Sequence, residues 1–325
     1  MLCHRQHILA ATLGWALLPI QCLSIPSPQQ AHGLLNRRAD TRAPDPIDPT
    51  TFNAILHYAT YAGTYLSAPC KTPPLGAEVV SFAQNDSTAT QQTIFRNRGD
   101  KEVILAFPGT ANPTDIGTDL NFPQTPHPAC DGCAVHQGVY EAWLSVADQT
   151  MAQARAAVQA TPDFKFVIVG HSLGGGLANM AYVDMQRAGM KVDLVVSYGE
   201  LAVGNQQYAD HVDKIAGASD DNVGMFWRVT HANDGVPLLP PNALTSIIVG
   251  QSFIQHRTEF WAQDGPDGEP ANLTTTFRCY GQMSEACNTG QGGIGINTAH
   301  VFYPGLNVLS CGIPRRDESS VRGGV

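Results

Sequence analysis

One short segment constrains the fold of this chain more than any other. The apolar run 164–169 leads directly into the glycine-rich segment 170–176 (GHSLGGG), and a helix-like stretch, 173–187, follows. A strand, a sharp turn and a helix in this order are typical of a nucleophile elbow, which needs glycine two residues either side of its serine. A bare G-x-S-x-G arises by chance in roughly one chain of this composition in six, so the motif alone is weak. The strand before it and the helix after it favour Ser172 as a nucleophile.

A nucleophilic serine needs a histidine base, and that histidine needs a carboxylate that fixes its tautomer. In folds with a nucleophile elbow the chain order is serine, acid, histidine. Asp234 follows the strand-like segment 225–230 and precedes a glycine and a proline-rich stretch, which predicts a loop at the carboxyl end of a strand. His300 follows the glycine-rich segment 290–295, which can reach over the sheet edge. Spacing alone leaves alternatives open, namely an Asx-turn for Asp234 and an ordinary surface position for His300.

The apolar periodicity predicts a single α/β domain. Strands are expected at 78–82, 91–97, 102–107, 164–169, 193–198 and 226–230, and helices at 50–66, 138–160, 173–187 and 205–215. This alternation predicts a mainly parallel central sheet covered by helices on both faces.

The N-terminal region predicts export. Residues 1–24 combine a basic start, an apolar stretch and a small-residue site, as a secretory signal peptide does. Residues 25–48 are rich in Pro, Gln, Ala and Arg without periodicity and contain a dibasic pair, Arg37-Arg38, so they predict a propeptide or a disordered linker outside the fold. The domain is then 49–325. We expect a secreted, extracellular protein without a transmembrane segment, because no apolar stretch reaches the roughly twenty residues that a spanning helix needs.

The cysteines agree with export. Of eight cysteines, Cys3 and Cys22 fall in the signal region, and the other six allow three disulfides in fifteen different pairings. A redox role for Cys130 and Cys133 is disfavoured outside the cytosol. A zinc role is disfavoured further, since no second cysteine or histidine pair at finger spacing accompanies them. The sequons at Asn85 and Asn272 predict glycosylation.

The charge of the chain bears on its partners. A net charge of −9 without clustered cations beyond dibasic pairs disfavours nucleic acid as a partner. We expect no metal and no cofactor, and a monomer.

Several segments of the chain resemble the fungal class 3 lipases, the filamentous-fungal lipase and feruloyl esterase family. They run in family order from about residue 50 to 311, and they comprise Gly109-Thr110, 130–138, 170–175, 203–205, 228–234 with Pro240-Pro241, and Ala299-His300. The resemblance implies an α/β-hydrolase fold with a lid loop. It also implies Ser172 as nucleophile, Asp234 as acid, His300 as base, and the backbone N–H groups of Leu173 and Thr110 as the oxyanion hole.

The same resemblance implies a disulfide pairing, and the chain departs from the family at two places. The implied disulfides are Cys130–Cys133, Cys279–Cys287 and Cys70–Cys311. Pro108 stands where the family usually has arginine, and Leu201-Ala202 stands where it usually has Pro-Arg. None of these is a catalytic group, so we interpret them as repacked structure near the site.

The lid of the family corresponds to 111–122 in this chain. Before Asp119 it offers only Ile116 as a large apolar side chain, which looks closer to the feruloyl esterase branch than to triacylglycerol lipases. Phe122 stands where that branch has a tyrosine, and phenylalanine cannot donate a hydrogen bond. Leu239 and Ile296 would supply apolar walls.

These features together predict a secreted serine carboxylic-ester hydrolase that acts on lipid (acylglycerol) or aryl esters through an acyl-enzyme. A lipid–water interface is a candidate partner. The alternative is a feruloyl esterase that releases hydroxycinnamic acids from plant cell wall, and a non-catalytic lipase-like binding protein is less favoured.

Overall fold

The computed structural model describes residues 40–63, 72–109, 123–241, 245 and 250–306. They belong to one compact unit, Ala39–Val325. The strands are β1 (Asp45–Pro46), β2 (Glu78–Asn85), β3 (Thr90–Asn97), β4 (Glu102–Phe107), β5 (Gln124–Pro126), β6 (Ala134–His136), β7 (Lys165–His171), β8 (Leu194–Tyr198), β9 (Phe226–His231), β10 (Glu259–Ala262) and β11 (Thr276–Arg278). The α-helices are α1 (Pro49–Ala62), α2 (Gln137–Leu144), α3 (Ala147–Gln159), α4 (Leu173–Arg187), α5 (Gln206–Ala216) and α6 (Thr298–Val301).

A nine-stranded sheet organises the molecule, in the order β1-β11-β10-β9-β8-β7-β4-β3-β2. Its centre is parallel, because β4, β7, β8, β9 and β10 all run the same way. The flanking strands β2, β3, β11 and β1 pair antiparallel. The sequence prediction of an α/β fold with a mainly parallel sheet is therefore confirmed, and the carboxyl ends of the parallel strands form one common edge.

Helices cover both faces of this sheet, and alternation along the strands supplies both cores. In β4, Val103, Leu105 and Phe107 face the cluster that contains α4, while Ile104 and Ala106 face the cluster that contains α1. Successive side chains of a strand point to opposite faces, so a central strand that is apolar at every position is buried on both sides. β4 after Glu102 and β7 between Lys165 and His171 are such stretches, and all of their residues are buried.

Helices α1 and α4 begin at or within one residue of their predicted starts. The Asp48 carboxylate accepts hydrogen bonds from the backbone N–H groups of Thr50 (2.8 Å) and Thr51 (3.1 Å), which caps α1 just before Pro49. α4 runs over Leu173–Arg187, the predicted range.

The predicted long helix over 138–160 is wrong in one respect, because the chain forms two helices, α2 and α3, with a break at Ser145–Val146. The Ser145 hydroxyl donates to the Ala142 carbonyl (2.7 Å), and Val146 leaves the helical region with φ −127° and ψ −6°. The break allows both Trp143 and Val146 to enter the core, where they are almost fully buried.

The end of the segment assigned to a propeptide or linker lies within the fold, which corrects the expectation that all of 25–48 stays outside it. β1 pairs with β11, the backbone N–H of Glu285 donates to the Asp40 carbonyl (3.0 Å), and the Arg42 guanidinium lies over the Tyr280 ring at 3.5 Å. The fold therefore starts before residue 49, because these residues complete the sheet edge.

Two of the three implied disulfides, Cys130–Cys133 and Cys279–Cys287, are present. Cys70 and Cys311 lie outside the described residues. Both sequon asparagines lie at turns: Asn85 is half-buried at the end of β2, and Asn272 is exposed. Glycosylation stays a prediction. Among the described residues, no helix is long and apolar enough to cross a membrane.

Candidate active site

Ser172 occupies a strained turn between β7 and α4. Its backbone has φ 59° and ψ −126°, a conformation that residues with side chains rarely adopt. The turn is tight: a Cβ on Gly170 would lie 2.0 Å from the Gly174 carbonyl oxygen, and a Cβ on Gly174 would lie 2.1 Å from the Phe107 carbonyl oxygen. These two contacts explain the spacing of glycines around the serine, because either side chain would push the strand and the helix apart.

The three residues predicted as a catalytic triad meet in the structure. The Ser172 Oγ lies 2.8 Å from His300 Nε2, and His300 Nδ1 lies 2.9 Å from Asp234 Oδ2. All three are buried, with exposed fractions of 2% for Ser172, 3% for His300 and 0% for Asp234. If Nδ1–H donates to the carboxylate, Nε2 keeps its lone pair for the serine proton, which is the tautomer that general-base catalysis needs.

The Asp234 carboxylate is held by two further donors. Its Oδ1 accepts from the backbone N–H of Val236 (2.8 Å), and its Oδ2 accepts from the Tyr303 hydroxyl (2.5 Å) as well as from His300. Burial and the neighbouring Asp234 raise the pKa of Tyr303 well above its ordinary value, so its hydroxyl stays a donor. Tyr303 lies three residues after His300, beyond the end of α6, and was not among the residues predicted from the sequence.

Long-range contacts align the loops that carry the acid and the base. Gly235 and Gly295 form an isolated antiparallel bridge, and the Asn288 side chain donates to the Asp234 carbonyl (3.0 Å). The Asn297 side chain donates to the Asn233 carbonyl (2.7 Å) and accepts from the backbone N–H of His300 (3.2 Å), so it also caps the short helix α6. These bonds fix the distance between two residues that are far apart in the chain.

The absence of a side chain at Gly199 leaves room for the contact between Asp234 and His300. Gly199 follows β8 with φ +58°, and a Cβ there would lie 2.9 Å from Asp234 Oδ2 and 2.9 Å from His300 Nδ1. A side chain at this position would therefore displace the acid and the base from each other.

A second histidine, His171, packs on His300. The two rings stack with centroids 4.8 Å apart and an interplanar angle of 27°, and His171 Nε2 lies 3.0 Å from the His300 carbonyl oxygen. Burial and the neighbouring His300 lower the pKa of His171 to about 3. His171 is therefore neutral at neutral pH, where it can donate Nε2–H to that carbonyl without adding a charge beside the base. Its position in the segment 170–176 was the available signal, but the motif alone does not reveal this contact.

One half of the implied oxyanion hole is described. Leu173 is the first residue of α4, and the first amides of a helix have no intrahelical acceptor, so its N–H is available beside Ser172. Thr110, Ile116, Asp119 and Phe122 lie outside the described residues. Gly109, just before Thr110, comes close to the elbow, since a Cβ there would lie 3.2 Å from the Ser172 Cβ.

The remaining predicted residues lie near the acid loop or in the core. Leu239 and Ile296 are half-buried and pack against the core cluster that contains α4. Leu201 and Ala202, where the family has Pro-Arg, are buried, and the N–H of Ala202 donates to the Leu239 carbonyl (2.8 Å).

The buried carboxylate next to them, Glu200, is satisfied by neutral donors. It accepts from the Asn179 side chain (2.8 Å) and the Ser197 hydroxyl (2.5 Å). Leu201 and Ala202 are therefore packed next to a buried carboxyl group, and their interpretation as repacked structure stays a prediction.

One cluster in the described part of the chain has the composition of a metal site. His57, Asp100 and Glu102 place one ligand atom each within 4.8 Å of one another. The cluster lies on α1 and the β3–β4 turn, and none of its residues contacts the triad. His57 Nε2 lies 3.3 Å from Glu102, and the Tyr58 hydroxyl donates to the same carboxylate (2.7 Å). These contacts join α1 to β4.

Comparison with known proteins finds lipases. The family model described as lipase (class 3) matches residues 104–244. A secreted mono- and diacylglycerol lipase 1 of Fusarium solani is 34% identical over 227 residues, which is 70% of this chain and 63% of that protein. The chain thus spans just under two thirds of that relative. A secreted mono- and diacylglycerol lipase A of Penicillium cyclopium is 28% identical over 76% of this chain and 78% of its own length.

A solved lipase structure has a similar fold. The crystal structure of a triacylglycerol lipase from Penicillium expansum superimposes with a TM-score of 0.69 at 23% identity, covering 82% of this chain and 98% of the lipase. The sheet order and the elbow are those of an α/β-hydrolase. The family model and the sequence relatives support a fungal class 3 lipase.

Proposed function

We propose that this protein is an exported serine carboxylic-ester hydrolase that cleaves acylglycerols through an acyl-enzyme on Ser172. The observation that carries the proposal is the continuous hydrogen-bond chain from Ser172 Oγ through both ring nitrogens of His300 to Asp234, with distances of 2.8 and 2.9 Å. Each contact has the length that proton transfer between these groups requires.

In the acylation step, Ser172 Oγ attacks the ester carbonyl carbon while His300 Nε2 takes the hydroxyl proton. The carbonyl oxygen becomes an oxyanion, which the N–H of Leu173 stabilises. A donor of this kind typically contributes about 3–4 kcal/mol to lowering the barrier. As the tetrahedral intermediate collapses, the bond to the alcohol oxygen breaks, and His300 gives its proton to that oxygen, so that glycerol or a partial glyceride leaves.

Water reverses the sequence in deacylation. His300 takes a proton from water, the hydroxide oxygen attacks the acyl carbon, and the proton returns to Ser172 Oγ as the fatty acid leaves. Asp234 stabilises the imidazolium in both steps without itself taking the proton. Burial of the triad excludes bulk water, which strengthens these interactions.

An acylglycerol substrate is supported by two observations. The sequence relatives described above are named as mono- and diacylglycerol lipases. In addition, Ile294 is 88% exposed in the loop that bridges to Gly235, and no charged residue lies between Cys287 and His300. An apolar side chain that projects beside the catalytic loops suits an ester presented at a lipid surface.

Export is supported by the two disulfides in the described residues, since disulfides persist in oxidising compartments. The named relatives are described as secreted. The signal peptide over residues 1–24 stays a prediction.

The proposal is tested by hydrolysis of matched esters with purified protein: diolein and tributyrin emulsions, and methyl ferulate as the aryl ester. We expect hydrolysis of the glycerides, rising above their solubility limit, and slow hydrolysis of methyl ferulate. Ser172→Ala is the control and should lower kcat by about 10⁶-fold with unchanged thermal unfolding. Preference for methyl ferulate would replace the acylglycerol assignment with the aryl-ester one, and equal rates for wild type and Ser172→Ala would overturn the serine mechanism.

A further inference from the structure

We propose that His231 is a positioning residue for the catalytic base. Its ring holds the short helix that carries His300, and Asp264 fixes the orientation of that ring. This inference rests on the proposed function, since it concerns the same triad. His231 is the last residue of β9, three residues before Asp234, and it is almost fully buried. It does not touch Ser172 or the reacting atoms.

The ring of His231 is bound at both nitrogens. Nδ1 lies 2.9 Å from the carbonyl oxygen of Ala299, the residue directly before His300, and Nε2 lies 2.9 Å from Asp264 Oδ1. The ring also packs against Tyr303, with centroids 5.5 Å apart. Both the donor to Asp234 and the residue before the base are therefore in contact with one side chain.

Each ring nitrogen of His231 has one partner. The Ala299 carbonyl oxygen can only accept, so Nδ1 bonds to it only as an N–H donor. Asp264 holds the opposite side of the ring at Nε2. Loss of the carboxylate would leave the ring free to turn away from Ala299. This arrangement repeats around His231 the way in which Asp234 orients His300.

Helix α6 depends on contacts from outside the helix because it is very short. It spans four residues, Thr298–Val301, and a single turn has little stability of its own. His231 also fixes the acid side, since its backbone carbonyl accepts from the N–H of Asp234 (2.8 Å). One residue therefore sets the positions of both partners of the 2.9 Å contact between His300 and Asp234.

His231 and Asp264 can be substituted separately because they border a cleft of about 550 Å³. Its lining includes His231, Asp264, Thr298, Ala299, Phe302 and Tyr303. The Asp264 side chain is 48% exposed there. Substitutions of Asp264 thus leave the core packing in place.

Two replacements of His231 separate positioning from packing. Asparagine places its amide nitrogen two bonds from Cβ, as Nδ1 is, whereas glutamine places it three bonds from Cβ, as Nε2 is. We expect His231→Asn to keep kcat within about threefold, and His231→Gln to lower kcat by about tenfold with unchanged KM, which corresponds to one lost hydrogen bond. The rate of covalent labelling of Ser172 by an organophosphonate should fall by the same factor. Equal kcat values for the two variants would overturn the inference.

Variants of Asp264 keep the test decisive if either His231 variant fails to fold. We expect Asp264→Ala to lower kcat several-fold and Asp264→Asn to lower it less, because the asparagine amide can donate to Nε2 and so keep the Nδ1–H form. Asp131→Asn, an exposed change elsewhere, is the control for loss of surface charge. Equal kcat for Asp264→Ala and wild type would contradict the inference. Wild-type turnover and its loss in Ser172→Ala test the proposed function separately.

Discussion

The turn at Ser172 and the loops that carry Asp234 and His300 each hold a side chain in a fixed position, but they do so in different ways. The elbow is continuous in sequence: β7, Ser172 and α4 follow one another, and the Ser172 carbonyl accepts from the N–H of Gly175 (2.9 Å) within the same turn. The acid and the base are 66 residues apart. Their contact depends on side chains from several loops, including Asn288, Asn297 and Tyr303.

This difference determines how each region responds to change. A local motif fails when its own glycines are replaced, whereas a long-range arrangement can lose precision at many positions without unfolding. We therefore expect substitutions around the acid and the base to lower kcat in graded steps, while the fold persists.

The largest graded effect should come from Asp234→Asn. The amide keeps the shape of the carboxylate but can no longer stabilise the imidazolium or select its tautomer, and a comparable change in a serine hydrolase lowers kcat about 10⁴-fold. The measurement is kcat on tributyrin, with circular dichroism as the control for folding. Wild-type turnover would show that Asp234 is not the acid.

Gly199→Ala should have the next largest effect, with Gly189→Ala as a matched control. Both glycines have positive φ, +58° and +71°, so both variants share the backbone strain. Only the Gly199 side chain would meet Asp234 and His300, whereas a Cβ on Gly189 has nothing within 4 Å. We expect kcat to fall about 10²-fold in Gly199→Ala alone, because a displacement near 1 Å at a catalytic group costs about that much. A similar loss in both variants would attribute the effect to strain instead.

Tyr303→Phe should have a smaller effect. It removes the hydroxyl that donates to Asp234 Oδ2 but keeps the ring against His171 and His231. A hydrogen bond to a charged group contributes about 1.5–3 kcal/mol, so we expect kcat to fall at least about tenfold. Thermal unfolding measured in parallel distinguishes this from a packing defect, and an unchanged kcat would mean that Val236 and His300 suffice to hold the acid.

The smallest effect should come from His171→Gln, next to Ser172, and it should change the free energy of unfolding rather than kcat. His171 takes up a proton near pH 6.5 in the unfolded chain but only near a pKa of about 3 when folded, because burial opposes its charge. Between these values the unfolded state binds more protons, so stability falls as pH falls. His171→Gln keeps a nitrogen at the Nε2 position and removes the titration, so the slope of unfolding free energy between pH 6 and 4 should decrease by up to about 1.4 kcal/mol per pH unit. Urea unfolding at several pH values measures it, and equal slopes would contradict the assignment.

The predictability of the molecule follows the same division between local and long-range features. α4 could be predicted residue for residue, since the strand, the glycine turn and the helix are encoded next to one another. The order of Ser172, Asp234 and His300 was predictable only with the family resemblance, because spacing alone left alternatives open for the last two. Tyr303 and His231 were missed as contributors, since neither has a local signal and both act through contacts that exist only in the folded chain.

The elements that escaped prediction are short or depend on packing. β10 and β11 have four and three residues, too few for a periodic pattern, and β1 has two. Their strand conformation comes from pairing with a sheet that is already formed. The break between α2 and α3 has no glycine or proline to mark it, since it is the burial of Trp143 and Val146 that favours it.

β1 also determines how the molecule presents itself to its neighbours in solution. It is an outer strand of the described sheet, two residues long, and it contains Pro46, which has no N–H to offer a further strand. At the other side, β2 carries a register shift between Val79 and Ser81, and Glu78 is paired with Arg96 and Arg98. Short length, proline, an irregular ladder and edge charges each oppose strand addition. Both edges of the described sheet therefore oppose edge-to-edge aggregation of the folded protein.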